Sequence, residues 1–178
     1  MTTVKNLDKL IQKLNTLGGD SDMVMEKALL RPTNRVKKYA KLLCPVGDSG
    51  NLRNRIYSKV EKGPDGSLQG VVFTNVEYAA YVEFGTGPKG EAKKPEWAKK
   101  LGINYKHDRW FIPADKIKAE TAEMYHFKKI NVKGKVFYIC YGQAAQPFLY
   151  PAYKSTEPKI AQDIRDVFNE YIRRLERK

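Results

Sequence analysis

The chain has 178 residues, enough for one domain with a substantial core, and its 42% hydrophobic and 30% charged residues are those of an ordinary globular protein. No apolar run approaches the ~18 residues of a membrane span. The formal net charge of +13 points to nucleic acid or an acidic protein surface as a partner, or else to well-solvated lysine faces.

The first residues, Met1-Thr2-Thr3-Val4-Lys5-Asn6, lack the apolar centre of a signal peptide, so maturation in a cytoplasm is expected. Cys44 and Cys140 both sit among apolar neighbours and are expected as buried, reduced thiols. Val4, Leu7, Leu10, Ile11, Leu14 and Leu17 recur at helical spacing opposite Lys5, Lys9 and Lys13, which predicts an amphipathic helix over 4–17. Gly18-Gly19 stops it, and Asp20, Ser21 or Asp22 can cap a second helix. That second helix carries Val24, Ala28, Leu29, Val36, Tyr39, Ala40 and Leu43 to Pro45, with a kink or break expected near Leu30–Arg31 because of Pro32. Residues 55–62 and 69–75 alternate around the turn Gly63-Pro64-Asp65-Gly66 and predict a hairpin, with Ile56, Ser58 and Val60 on one face.

A short helical turn over Tyr78–Phe84 should place Tyr78, Tyr81 and Val82 on one buried face, ending at the flexible Gly85 and Gly87. Residues 88–134 carry 12 basic and 6 acidic groups together with three prolines. They read as a long excursion with local structure: a strand at Trp110–Ile112 and a helix at Ala114–Met124. Lys135–Tyr141 is a clear strand. After the stretch Gln143–Ala152, a strong amphipathic helix through Ile160, Ile164, Phe168, Ile172 and Leu175 is expected to start near Thr156-Glu157-Pro158. The order implies an α+β fold, an antiparallel sheet of the hairpin plus a later strand, packed by N-terminal helices and a long C-terminal helix, in a single domain over 1–178.

The chemical motifs are weak. Gly47-Asp48-Ser49-Gly50 matches the nucleophile core of chymotrypsin-like proteases, but the only histidines, His107 and His126, follow it, and the strand count of a double barrel is missing. Gly85-Thr86-Gly87-Pro88-Lys89-Gly90 has the G-x-G-x-x-G spacing, but a proline lies inside it and no buried helix follows. His107-Asp108 has no convergent set of ligands around it, so neither a metal site nor a nuclease is expected. No cofactor and no catalytic residue are expected. Lys93, Lys94, Lys99, Lys100 and Arg109, interleaved with Trp97, Tyr105 and Trp110, could grip nucleic acid by charge and stacking, which makes a sequence-independent nucleic-acid-binding protein the alternative reading. They fit equally a loop that orders on a protein partner.

Three stretches carry a resemblance. Ala40-Lys41-Leu42-Leu43-Cys44-Pro45-Val46-Gly47-Asp48-Ser49-Gly50-Asn51-Leu52-Arg53 resembles an A…P-x-x-x-G-x-L-R segment. Tyr78-Ala79-Ala80-Tyr81-Val82-Glu83-Phe84-Gly85-Thr86-Gly87 resembles a YA-x-x-x-E-x-GT core, and Gln143-Ala144-Ala145-Gln146-Pro147-Phe148-Leu149-Tyr150-Pro151-Ala152 a PFL-x-PA segment. In this order they are similar to the neck and tail-completion proteins of long-tailed phages and prophages. The resemblance implies a non-catalytic virion component and an α+β fold. It implies a ring, commonly of six subunits, at the head–tail junction or the head-proximal end of the tail. Partners would be other copies of the chain, neighbouring head-closure or tail-tube proteins and, transiently, packaged DNA. Pro32 and the length of the 88–134 segment depart from the family pattern. Tyr78, Tyr81, Glu83, Phe84, Gly85, Gln146, Pro147 and Phe148 are the expected core or subunit-interface anchors. Lys93, Lys94, Lys99, Lys100 and Arg109 form the expected DNA- or partner-facing set.

Overall fold

The computed structural model describes residues 9, 11, 12, 15, 21–47, 49–175 and 177. The expected helix over 4–17 and its Gly18-Gly19 stop therefore lie outside the described residues, apart from helical positions 9, 11, 12 and 15. The fold is α+β, and the chain divides into two compact units: residues 1–76 with 147–178, and residues 77–146.

The first unit is organised by α1 (Ser21–Leu43), which packs on α6 (Leu149–Leu175) and on the hairpin of β1 (Ile56–Lys62) and β2 (Leu68–Thr74), with the single-turn α2 (Asn51–Asn54) leading into β1. Val24 and Ala28, one turn apart, meet Ile164, Phe168 and Ile172, spaced by four, and these five side chains are buried together. Polar rungs flank this seam. Both carboxylate oxygens of Glu170 accept from Arg31 at 3.0 Å. Asp163 accepts from Arg35 Nε at 2.7 Å and from its terminal nitrogen at 2.5 Å. The hydrogen bond to Asp163 holds the Arg35 guanidinium above its ordinary pKa, while burial opposes that rise.

The expected interruption at Pro32 does not break the helix: α1 runs through it. Proline removes one backbone donor and costs a free helix about 3 kcal/mol. Here α1 is packed on two sides, Pro32 is buried, and the Thr33 hydroxyl donates to the carbonyl of Leu29 at 2.6 Å. The C-terminal helix likewise starts at Leu149, seven residues before the expected Thr156. Pro151 falls in its first turn, where a missing N–H is harmless. Pro158 lies inside it, and just before it Thr156 donates to the carbonyl of Ala152 at 2.9 Å.

The hairpin follows its alternation. Ile56 is buried, Ser58 and Val60 are half-buried, and the Ser58 hydroxyl donates to Asn34 of α1 at 2.8 Å. On the other face Tyr57 and Phe73 are cross-strand partners with ring centroids 5.8 Å apart, and Lys59 lies over the Phe73 ring. The turn is closed by Asp65, which accepts from the amide and the hydroxyl of Ser67. Cys44 is buried as expected, whereas Cys140 is only half-buried, and neither is held in a disulfide.

The second unit turns most of the expected excursion into structure. After α3 (Ala79–Phe84) come α4 (Gly87–Ala92), a 3-10 turn (Glu96–Leu101), β3 (Trp110–Pro113), a second 3-10 turn (Ala114–Lys116), α5 (Ala119–Met124), β4 (Lys128–Val132) and β5 (Lys135–Cys140). The helix expected over 114–124 is split, because Ile117 and Lys118 adopt extended backbone between the 3-10 turn and α5. β5 is the middle strand of an antiparallel sheet in the order β3-β5-β4, so the strands form two sheets rather than one built on the first hairpin. Lys133 and Gly134, both at positive φ, make the tight turn between β4 and β5.

Candidate functional site

Two of the stretches singled out by sequence are joined within the second unit. α3 stops after Phe84 because Gly85 turns to φ 76°. Thr86 is then extended, and it exchanges backbone hydrogen bonds with Gln143: Thr86 N–H donates to the Gln143 carbonyl at 2.9 Å, and Gln143 N–H donates to the Thr86 carbonyl at 3.1 Å. This is one rung of an antiparallel ladder. Around it, Gln146 N–H donates to the Val82 carbonyl at 2.8 Å and Lys89 N–H to the Tyr141 carbonyl at 3.2 Å. The Gln143 side-chain amide donates to the Tyr81 carbonyl at 3.1 Å. The orphan carbonyls at the end of a six-residue helix are thereby taken up by the 141–146 segment.

Glycine is required at this junction by space as well as by φ. Gly142 sits at φ 88°, and a Cβ there would lie 1.9 Å from the Thr86 carbonyl oxygen. A Cβ on Gly85 would lie 2.7 Å from both Ala145 N and the Gln143 carbonyl oxygen. Tyr105 adds a side-chain clamp: its hydroxyl donates to the Phe84 carbonyl at 2.9 Å, and burial raises its pKa, with the charge of Glu91 acting in the same direction. Phe84 packs against Trp97 with ring centroids 5.6 Å apart.

Beside the junction lies an open groove of about 670 Å³. Ile112, Ile117, Tyr125, Phe127 and Cys140 are among the apolar residues lining it, and the rings of Tyr125 and Phe127 stack with centroids 5.7 Å apart. Lys89 and Lys93 are the charged members of its lining. Neither makes an ion pair among the described residues. No group of three His, Cys, Asp or Glu able to hold a metal occurs among the described residues, and His107 has Nδ1 3.4 Å from Glu91. The arrangement offers surface and charge.

The expected anchors separate into three groups. Tyr78 and Tyr81 were expected on a buried face, but they are 44% and 59% exposed, and the buried positions of α3 are Ala79 and Glu83. The register is the physical reason: the face carrying Ala79 and Glu83, four residues apart, is the one turned inward. Phe84, Gly85 and Gln146 belong to the junction, Phe84 half-buried, Gly85 buried, and Gln146 exposed with its amide bound. Pro147 and Phe148 belong to the first unit, where Phe148 is fully buried.

The basic residues are dispersed. Lys93 and Lys94 follow α4, and Lys94 lies over the ring of Tyr105 at 5.6 Å. Lys99 and Lys100 lie on the 3-10 turn, Lys99 paired with Glu96. Arg109 stands 5.8 Å from the centroid of the Phe111 ring. The stretches 78–87 and 142–152 were expected to come together, and the Thr86–Gln143 rung joins them. Sequence reasoning gave no role to Lys89 and read Tyr105 as a stacking residue rather than as the clamp on the Phe84 carbonyl. The signal for that junction was the shared character of the two stretches, small residues beside aromatic anchors, with a glycine next to each partner of the rung, Gly85 and Gly142.

Residues 8–85 match a family model, HK97-gp10_like, described as "Bacteriophage HK97-gp10, putative tail-component". Over this stretch the chain is similar to a tailed-phage tail component. The match ends at Gly85, so it takes in α1, the hairpin and α3 and stops where the junction begins. It supports a structural role in a virion. No curated protein and no solved structure matches the chain. Among the described residues, no helix is long and apolar enough to cross a membrane.

Proposed function

We propose that the whole chain, 1–178, acts as one tail component that assembles into a ring, a hexamer by the family resemblance, at the head–tail junction or the head-proximal end of a long phage tail, without catalysis. The match over residues 8–85 carries this reading. Large side chains left at the surface agree with it: Leu42, Tyr57, Tyr81 and Phe111 are exposed, as they would be on a protein that completes its burial against neighbours. Tyr78, Tyr81 and the junction around Gly85 and Gln146 serve as the subunit-facing region. Glu83 and Phe148 hold the interior, with Pro147 leading into α6. Lys93, Lys94, Lys99, Lys100 and Arg109 face the DNA channel or an acidic protein partner: a neighbouring head-closure or tail-tube ring or, at Lys93, an adjacent copy of this chain.

The test is electron microscopy of lysates from the parent phage carrying a nonsense codon in this gene. DNA-filled heads separated from tails support a junction role, and tails of uncontrolled length support a tail-completion role. Normal infectious particles overturn the reading. Reversing the charge of Lys93, Lys94, Lys99 and Lys100 together should impair assembly or DNA ejection. Unchanged particles would remove these lysines from the proposed surface.

A further inference from the structure

The second unit carries two surfaces that complement each other in charge and apolar character. One is a knob: Glu77, Tyr78 and Tyr81 are exposed around the start of α3, with Tyr81 the most exposed of the large hydrophobic side chains described in this unit. Glu77 makes no ion pair among the described residues. The other is the groove, lined by apolar Ile117, Tyr125 and Phe127 and by Lys89 and Lys93, cations without a carboxylate partner among the described residues. An aromatic ring needs an apolar slot with room for it, and an unpaired carboxylate beside that ring needs a cation at the slot's rim. The groove volume of about 670 Å³ exceeds what one tyrosine side chain fills, so it has room for an aromatic ring.

From this complementarity we infer that the groove is occupied by the Glu77–Tyr81 knob of a second copy of this chain. Tyr81 inserts over Ile117 and Phe127, and Glu77 meets Lys89 and Lys93. Each copy then gives a knob to one neighbour and a groove to the other. Such a contact is heterologous, and it generates a closed ring when the rotation between copies closes. The inference rests on the ring reading and supplies the surface by which the ring is built.

The test incorporates the photo-crosslinking residue of a Tyr81→p-benzoylphenylalanine substitution, which keeps an aromatic knob, into protein supplied in trans to the nonsense phage. Particles are irradiated, and the products are separated and mapped by mass spectrometry. The expected result is a ladder of multimers whose linked peptides come from 112–127. Lys89→Glu with Lys93→Glu should weaken the ladder at least ~10-fold, and adding Glu77→Lys should restore much of it, as charge-complementary contacts do. A dimer band alone would mean reciprocal two-fold pairing and would overturn the head-to-tail contact. A link to a different virion protein, or particles that contain the protein without any link, would overturn the inference and leave the ring reading standing. Particles that lack the protein would overturn both.

Discussion

In the first unit, α1 and α6 meet through large side chains, with Phe168 and Phe148 fully buried and Val24, Ile56, Ile164 and Ile172 around the interior. In the second unit, the buried apolar residues among those described are Ala79, Ala98, Ala122 and Ile139. Its junction is held by backbone hydrogen bonds across glycines instead. A core of long side chains tolerates irregular backbone, as the two prolines inside α1 and α6 show. A backbone lock buries little apolar surface, so it supplies position more than stability, and it leaves aromatic side chains for contacts with other molecules.

The sharpest way to break the comparison is Phe168→Ala. It should destabilise the first unit by about 3–5 kcal/mol, because a fully buried ring leaves a cavity that rigid helices cannot close. Chemical denaturation followed by helix circular dichroism measures it. A loss below about 1 kcal/mol would mean that the seam is not close-packed. Next in size is Gly142→Ala, which adds a Cβ into the Thr86 carbonyl at a positive φ. Strain at such a backbone costs about 1–2 kcal/mol before any clash. Hydrogen exchange should show the amides of Thr86, Gln143 and Gln146 losing protection while α1 and α6 keep theirs. Uniform loss in both units would show that the lock is not local.

Asp163→Ala leaves the Arg35 guanidinium without its carboxylate. A fully buried pair would lose 3–5 kcal/mol, but Arg35 still reaches water, so about 1–2 kcal/mol is expected. Glu170→Ala, at the more exposed rung, should cost less than about 1 kcal/mol. A thermal-denaturation series that ranks the two the other way round would contradict the burial argument.

The smallest effect concerns pH. The hydrogen bonds from Ser67 hold Asp65 below the ordinary carboxylate pKa. A depressed carboxylate stabilises the folded hairpin above its unfolded pKa, and this contribution is lost as the pH falls through the folded value. Acidification below the usual carboxylate range should loosen the β1–β2 turn, and Ser67→Ala should remove part of that acid sensitivity. NMR shifts of the Gly66 and Ser67 amides would record both.

What the sequence determined on its own is the local periodicity. The spacing of Val24 and Ala28, the run Ile160–Leu175 and the alternation around Gly63–Gly66 each produced the element they predict, because one face of each had to be buried. The three phage-like stretches were also legible as residues, and the match over 8–85 falls on the first two. Tertiary structure decided three other matters. Packing on two sides carried α1 through Pro32, since lost helix energy is local whereas burial is collective. The 88–134 stretch became helices and a sheet because β4 turns back on β5 in a local hairpin and β3 pairs with β5 from across the intervening chain, a long-range choice that lysine-rich composition hides. The outward turn of Tyr78 and Tyr81 was set by which side of a six-residue helix the surrounding chain covers, and so short a helix has too few residues for its periodicity to say so.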